Sequence, residues 1–317
     1  MSSYVRQKTL KNSIGCSGVG LHTGAKVAIM ISPAEVNSGI LFKRTDISGG
    51  QSIIAGTWRN VVESKLCSAI ANDSGVEIKT IEHLMAAFAG LGIDNALVEI
   101  SGPEIPIMDG SAAPFVFLIE CAGISEQNSP RGAIKILKPI TVSEDHCEAS
   151  LIPGDGFSVA FDIHFNSPLV ASQDHYVELT DGAFKAEISS ARTFGFEHEV
   201  AALRAGGLLL GGSLDNAVVV SGERVLNDSG LRYGNEFVRH KILDSVGDLY
   251  LAGAPIIGHF RGSRSGHAMN HQLLEALFAD VEAWAMVSER YEQPRTPNFR
   301  RAIIETPAEV ATAATGS

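Results

Sequence analysis

Two histidines and one aspartate have types and spacing that suit metal binding. His240 and Asp244 are four positions apart in EFVRHKILDSVGDL, so on a helix their Cβ atoms lie about 5–6 Å apart on one face. Another histidine, His83 in TIEHLMAA, is followed by a glycine seven residues later, as His240 is. Imidazole and carboxylate groups are both common metal ligands. The spacing alone leaves two interpretations open, a metal site or a hydrogen bond on a helix surface.

Both segments have the apolar periodicity of helices. In the first, the core-facing side is formed by Ile81, Leu84, Met85 and Phe88. In the second, it is formed by Val238, Ile242, Val246 and Leu249. The opposite side carries His83 with small neighbours in one helix, and His240, Asp244 and Asp248 with Lys241 at the edge in the other. This pattern predicts two helices that pack their small-residue faces together around one ion.

His267 is a candidate acid–base group, because it lies in the glycine-flanked turn GSRSGHAMN at the start of a predicted helix. The helix dipole disfavours a charged imidazole there, whereas a carboxylate such as Asp248 would favour it. A simple turn residue is the alternative. Six other histidines are predicted to stand alone in strands, loops or polar helix faces: His146, His164, His175, His198, His259 and His271.

Apolar patterns and turn residues place these side chains in an α+β chain. In the first half we predict strands at 26–31, 40–43, 67–71, 76–79 and 96–100 and helices at 81–88 and 115–122. In the second half we predict strands at 134–142, 157–165 and 255–260 and helices at 236–251 and 268–287. Each half ends in the order helix, strand, helix. This order predicts two similar α+β domains, residues 1–126 and 131–305, joined by a polar linker at 125–132 and followed by a flexible tail, 306–317.

Composition and charge exclude several classes of protein. The chain has 317 residues, 45% of them hydrophobic, and a net charge of −11 without a run of Lys or Arg, which argues against a nucleic-acid partner. The first residues carry no apolar signal sequence, and no stretch has the ~18 apolar residues of a membrane span. Four scattered cysteines without a CxxC motif favour a reducing compartment. We therefore expect a soluble cytoplasmic protein.

Several sequence blocks occur in one order between about residues 9 and 284. They are TLKNSIGCSGVGLHTG, TIEHLMAA, GPEIPIMDGSAAPF, SARTFGF, GGS, EFVRHKILDSVGDL and SGHAMNH. Together they resemble the UDP-3-O-acyl-N-acetylglucosamine deacetylase family, which acts at the committed step of lipid A biosynthesis. The resemblance implies two α+β domains whose helices are sandwiched between two outer sheets. It also implies a zinc ion held by His83, His240 and Asp244, although Fe²⁺ would accept the same ligands.

The resemblance and the chemistry of amides together imply a set of catalytic roles. Glu82 is expected to act as the general base that takes a proton from the attacking water. The hydroxyl of Thr193 is expected to donate a hydrogen bond to the tetrahedral oxyanion. His267, oriented by Asp248, is expected to protonate the amine that leaves. The products are acetate and the free amino sugar nucleotide.

The resemblance implies that the substrate is an acylated UDP-sugar. We expect the enzyme to be a monomer. Lys241 matches a family residue that contacts the substrate near the zinc, and Phe194 is expected to pack on the sugar or on the first acyl carbons. Arg264, and less directly Arg192, are candidates for the phosphates. Lys65 departs from the family, whose members usually have an apolar residue there, and so bears on acyl selection. His22 in GLHTG is either a turn residue or a part of the site.

Two other functions compete with this interpretation. One is a zinc amidase that acts on a different acetylated sugar, and Lys65 is the only residue that favours this alternative. The other is a non-catalytic relative that binds a glycolipid, although such a protein would need neither the Glu82 base nor the His267 acid. A P-loop or dinucleotide-binding protein is excluded, since the sequence has no GxxxxGK and no GxGxxG after a strand.

Overall fold

The computed structural model describes residues 4–48, 52–180 and 182–288. The predicted tail, 306–317, and the end of the predicted second domain lie outside these residues. The described α-helices are α1 Glu82–Leu91, α2 Ala113–Ala122, α3 Glu197–Ala205, α4 Glu236–Tyr250 and α5 His267–Ala279. A short π-helix, Phe184–Ile188, precedes α3.

The strands of the first half are β1 Arg6–Leu10, β2 Ile14–Val19, β3 Lys26–Pro33, β4 Ile40–Arg44, β5 Ile53–Ala55, β6 Val61–Val62, β7 Ala69–Ala71, β8 Glu77–Lys79, β9 Ala96–Ile100 and β10 Ile124–Pro130. Those of the second half are β11 Gly132–Ile136, β12 Ile140–Glu144, β13 Cys147–Ile152, β14 Phe157–His164, β15 Ser172–Glu178, β16 Phe194–Phe196, β17 Val218–Ser221, β18 Arg224–Val225, β19 Ile256–Ser263 and β20 Trp284–Ser288.

Each half contributes one large mixed sheet. The first has five strands in the order β2-β3-β9-β4-β5, and β9 is antiparallel to β3 but parallel to β4. The second has seven strands, in which β19 is antiparallel to β13 and parallel to both β11 and β14. The predicted order helix, strand, helix is therefore confirmed as α1-β9-α2 and α4-β19-α5, with the strand in the interior of its sheet both times.

The helices form a layer between the two large sheets. Helix α1 packs along α4, and α4 packs against α5. On one side α2 contacts β2, and on the other α4 contacts β14 and β15 while α5 contacts β12 and β13. Buried side chains from both halves form one continuous apolar core. The predicted α+β arrangement, with helices between two outer sheets, is confirmed.

Three details of the predicted secondary structure are wrong. The segment predicted as a linker is largely strand β10, whose alternating pattern pairs with β1 in a separate two-stranded sheet. The predicted strand 134–142 is split into β11 and β12. The predicted helix 268–287 ends at Ala279, and β20 follows and pairs with β11. The boundary between residues 1–126 and 131–305 stays a prediction, because both halves share one core.

Helix α1 ends where glycine permits a left-handed residue. Gly92 has φ 66° and follows the last helical residue, Leu91. Its N–H is bonded to the carbonyl of Ala89. A positive φ causes little steric strain in glycine, because glycine has no side chain. The short helix thereby turns back into β9, and its first turn is left facing α4.

Candidate metal centre and active site

Three side chains that could hold a metal ion converge where α1 crosses α4. His83 is the second residue of α1, whereas His240 and Asp244 lie one turn apart on α4. All three are buried, with 3–4% of their surfaces exposed. One ligand atom from each lies within 4.8 Å of the other two. The two helices therefore bring together the residues that the sequence singled out.

The separations of these atoms fit a tetrahedral ion better than a hydrogen-bonded cluster. Oδ1 of Asp244 is 3.5 Å from Nε2 of His83 and 3.3 Å from Nε2 of His240. Two ligand atoms of a tetrahedral zinc, each about 2.1 Å from the ion, are about 3.4 Å apart. An N–H···O hydrogen bond is usually shorter, about 2.7–3.2 Å. The residues present thus fit a zinc ion.

Hydrogen bonds at the far ends of Asp244 and His240 leave one atom of each facing the centre. Oδ1 of Asp244 is buried and has no hydrogen bond to the described residues, whereas Oδ2 accepts one from Nζ of Lys241 at 2.9 Å. Nδ1 of His240 lies 3.0 Å from the carbonyl oxygen of Ala191. Because a carbonyl only accepts, Nδ1 carries the proton and Nε2 keeps its lone pair. This fixed orientation is typical of histidines that ligate metals.

One glycine explains how closely the two helices approach. A Cβ added to Gly247 of α4 would lie 2.0 Å from the carbonyl oxygen of Glu82 on α1. Only glycine fits at this contact. The prediction that the small-residue face of α1 also packs against the other helix is wrong at Gly90. This glycine faces the ring of Phe184, which lies 2.1 Å from an added Cβ. The glycine of α4 therefore permits the close approach of the two helices, whereas the glycine of α1 makes room for Phe184 of the π-helix.

Burial and charge set the protonation of the candidate ligands. Burial lowers the pKa of His240 to about 4, so the imidazole is neutral at neutral pH. Burial alone would raise the pKa of Asp244, but His240 and Lys241 hold it well below its ordinary value. A neutral imidazole and an ionised carboxylate are the forms that bind a metal.

Glu82, the residue before His83, is held against the same centre. Its Oε2 accepts a hydrogen bond of 3.1 Å from the backbone N–H of Ser68. Burial raises the pKa of its carboxyl, an effect that His267 and His83 oppose. A carboxylate with a raised pKa is a stronger base.

His267, which is partly exposed, is paired with the fully buried Asp248 next to the candidate ligand Asp244. Nδ1 of His267 is 2.9 Å from Oδ2 of Asp248, and its Nε2 is 4.0 Å from Oδ2 of Asp244. Burial alone would lower the pKa of His267, but the carboxylates of Asp248, Asp244 and Glu82 raise it to about 9. The imidazole is therefore charged at neutral pH and has a proton to give.

Phe194 reaches the centre, and Thr193 lies beside it in the chain. The ring centroid of Phe194 is 6.5 Å from that of His240. The backbone of Thr193 is held by two hydrogen bonds, from its N–H to Gly110 and to its carbonyl from the N–H of Val218, both 2.8 Å long. The segment that fixes His240 through Ala191 thus also positions both residues.

Three positively charged candidates differ in their surroundings. Lys241 is tied to Asp244, which raises its pKa against the opposite effect of burial. Arg264 is exposed, with φ 51°, and its N–H is bonded to the carbonyl of Asp162. Arg192 is buried and paired with Glu236 at 2.8 Å. The suggestion that Arg192 meets phosphate is therefore wrong, since its guanidinium is used inside the protein.

Comparison with known proteins places the chain in a family. The model of the UDP-3-O-acyl N-acetylglycosamine deacetylase family matches residues 7–279. Proteins named UDP-3-O-acyl-N-acetylglucosamine deacetylase from Acidithiobacillus ferrooxidans and Chromohalobacter salexigens are each 52% identical to it. The alignments cover 92% and 90% of this chain and 96% and 94% of those relatives. The chain belongs to this deacetylase family.

This deacetylase family member has a cavity of about 280 Å³ whose lining contains none of the three candidate metal ligands. Its lining includes His22, Lys65, Cys67 and Lys79. Burial and the nearby carboxylate of Glu82 raise the pKa of the Cys67 thiol to about 11. Cys67 is thus a neutral part of the cavity wall, and it lies close enough to the candidate base for the charge of Glu82 to affect it.

The GLHTG segment is fixed by a buried carboxylate. Glu104 accepts hydrogen bonds from the N–H groups of His22, at 2.8 Å, and Thr23, at 2.9 Å. The His22 ring is 4% exposed and has no hydrogen bond to the described residues. Its backbone therefore belongs to a structural turn, and its ring to the cavity wall.

Sequence reasoning missed three polar residues around Asp248. Ser68 and Asn270 contact its carboxylate, and His271 lies 3.7 Å from Oδ1. The prediction that His271 stands alone is wrong. Its spacing of four residues from His267, with Asn270 at three, could have placed both beside His267 on one helix face. Ser68 is 180 residues from Asp248 in the chain, and no local pattern marks it.

None of the helices within the described residues has the length and apolar character needed to cross a membrane.

Proposed function

We propose that this protein is a zinc-dependent deacetylase that hydrolyses the acetamide of UDP-3-O-acyl-N-acetylglucosamine, the committed step of lipid A biosynthesis. The observation that carries the proposal is the tetrahedral spacing of the ligand atoms of His83, His240 and Asp244. Glu82 and the His267–Asp248 pair adjoin that site. When bound, zinc supplies a Lewis acid that polarises the carbonyl and lowers the pKa of a water.

The carboxylate of Glu82 acts as the general base. It takes a proton from the water that attacks the acetamide carbon. Its raised pKa and its hydrogen bond to Ser68 support this role. The hydroxyl of Thr193 donates a hydrogen bond to the oxyanion that develops on the carbonyl oxygen. Thr193 follows the segment that orients His240, which supports its assignment.

His267 acts as the general acid. An amine leaves poorly unless it is protonated, and the charged imidazole gives its proton to the nitrogen as the C–N bond breaks. Acetate and the free amino sugar nucleotide are released. The bond from Nδ1 to Asp248 leaves Nε2 to make this transfer. Asp248 orients the ring and stabilises its charge, as the carboxylate does in a catalytic triad.

Three residues bind the substrate in this proposal. Lys241, which forms an ion pair with Asp244, contacts the substrate near the metal. Phe194 packs on the sugar or the first acyl carbons, and its ring contact with His240 supports that position. Arg264 meets the phosphates, since its guanidinium is exposed three residues before His267. The cavity beside Cys67 receives part of the acylated sugar.

The proposal also includes the compartment and the assembly. The four cysteines form no disulfide, as in proteins of a reducing compartment, and we propose that the enzyme works in the cytoplasm as a monomer. Fractionation of cells and sedimentation of the purified protein test these two points.

Acetate release tests the function directly. The purified protein, with its metal content measured, is given the acylated sugar nucleotide and, separately, UDP-N-acetylglucosamine without the acyl chain. We expect acetate from the first substrate, far less from the second, and no turnover after the metal is removed. Failure of the metal-loaded protein to release acetate from the acylated substrate would contradict the proposal.

A further inference from the structure

Ser68 contacts the candidate base through its backbone. It is fully buried and lies just before β7. Its N–H donates a hydrogen bond of 3.1 Å to Oε2 of Glu82, and its carbonyl accepts one of 3.3 Å from the N–H of Ile81. The β7 segment is thereby joined to the first turn of α1, where the base is located.

The hydroxyl of the same residue contacts the candidate acid. Oγ of Ser68 is 2.5 Å from Oδ1 of Asp248, 3.1 Å from Nε2 of His271 and 3.3 Å from Nδ1 of His267. A hydroxyl has one proton, and an ionised carboxylate can only accept. Ser68 therefore donates to Asp248 and can accept from a histidine.

The other contacts of Asp248 do not replace this one. Its Oδ2 accepts hydrogen bonds of 2.9 Å from His267 and Asn270. At Oδ1, His271 is 3.7 Å away, too far for a hydrogen bond. Without the Ser68 hydroxyl, Oδ1 would be a buried acceptor with no close donor among the described residues, and the carboxylate would be held through Oδ2 alone.

We propose that Ser68 is a positioning residue that sets the base Glu82 and the acid His267 relative to each other. Its backbone N–H holds Glu82. Its hydroxyl holds Asp248, which in turn orients His267. Ser68 and Glu82 belong to the first half of the chain, whereas Asp248 and His267 belong to the second. One residue thus couples the proton acceptor and the proton donor across the two halves. This proposal rests on the proposed deacetylase function.

The experiment measures Ser68→Ala in two backgrounds, the natural protein and His267→Ala. In the natural background, kcat should fall about 10- to 100-fold, as is usual when an orienting partner of a site residue is lost, with KM and metal content little changed. In the His267→Ala background, Ser68→Ala should cause little further loss, because the group that it positions is gone. A similar loss in both backgrounds, or no loss in the first, would overturn the proposal.

Further variants separate positioning from folding. Ser68→Thr keeps a hydroxyl and should retain more turnover than Ser68→Ala, and equal losses in the two would count against the proposal. Ser150→Ala removes a buried serine of β13, a strand that carries none of the residues assigned to the site, and should leave kcat unchanged. The natural protein is assayed alongside. If it releases no acetate, the proposed function fails, whereas normal turnover in both the natural protein and Ser68→Ala refutes the role of Ser68 alone.

Discussion

Nδ1 of His267 lies 2.9 Å from Oδ2 of Asp248, which is fully buried. Burial alone would raise the pKa of Asp248, but His267 and His271 hold it well below its ordinary value. The carboxylate is therefore ionised at neutral pH and keeps one proton on Nδ1 of His267. His267 is therefore an acid whose pKa depends on the neighbouring Asp248.

Asp248→Asn should move the alkaline limb of the pH profile. Asp248 contributes to raising the pKa of His267 to about 9, so removing its charge lowers that pKa. His267 then loses its proton at a lower pH, and kcat/KM should begin to fall at a lower pH than in the natural protein. The profile of kcat/KM from pH 5 to 10 measures this shift. An unmoved alkaline limb would mean that another group supplies the proton.

Removal of the metal should abolish activity and preserve the fold. The centre lies between α1 and α4, and both helices also pack into the apolar core. We therefore expect protein treated with a chelator to keep its far-ultraviolet circular dichroism while acetate release stops. Substoichiometric zinc should restore turnover. Full activity of protein shown to be metal-free would contradict the metal assignment.

The sequence predicted the parts of the site that depend on helix periodicity. His240 and Asp244 share a face because four residues make about one turn, and glycine at 247 indicated close packing there. Contacts between distant segments were not predictable. Ser68 meets Asp248 only through the packing of β7 against α1 and α4, and the seat of Phe184 on Gly90 depends on a π-helix with no clear sequence signal.

The errors in the fold have a similar origin. The segment of β10 is polar because both of its faces are partly solvated, and it is a strand because β1 pairs with it. The segment after Ala279 contains apolar residues that fit a helix in isolation, but β11 offers it an edge to pair with. Strand pairing between residues far apart in sequence decided both cases, and a single segment does not show it.

Lys65 should affect the choice of acyl chain and leave the chemical step unchanged. It is exposed at the cavity beside Cys67, where a charged end disfavours contact with a long apolar chain. Lys65→Met should raise kcat/KM for longer acyl chains and change it little for a truncated substrate. Assays with a series of chain lengths measure this difference. Equal effects on long and truncated substrates would show that Lys65 does not contact the acyl chain.

Glu236 should stabilise the segment that leads to Thr193. Its carboxylate accepts hydrogen bonds from the backbone and the guanidinium of Arg192. Glu236→Ala leaves a buried guanidinium unpaired and should lower the free energy of unfolding by about 3–5 kcal/mol. Glu120→Ala breaks the exposed pair with Lys185 and should cost at most about 1 kcal/mol. Urea unfolding compares them, and similar costs would show that the buried pair adds no special stability.

The contribution of Glu236 should also depend on pH. Burial alone would raise its pKa, but hydrogen bonds from Arg192 and Arg232 lower it in the folded protein. A lowered pKa stabilises the folded state above the pKa of unfolded glutamate, about 4.3, and this stabilisation is lost as the pH falls through the folded value. The difference in unfolding free energy between the natural protein and Glu236→Ala should therefore shrink in acid. A constant difference down to pH 3 would contradict this account.

In the proposed mechanism, adjacent residues of α1 have different roles, His83 as a metal ligand and Glu82 as the base. Asp244→Ala removes the charged ligand and serves as the reference for metal loss. Glu82→Gln keeps the size of the side chain and all three ligands. Zinc per protein and acetate turnover, measured on the same preparations, distinguish a metal ligand from a base. We predict that Asp244→Ala loses both zinc and activity, while Glu82→Gln keeps its zinc and loses about 10²- to 10⁴-fold in kcat. Loss of zinc from Glu82→Gln as severe as from Asp244→Ala would contradict the division of roles.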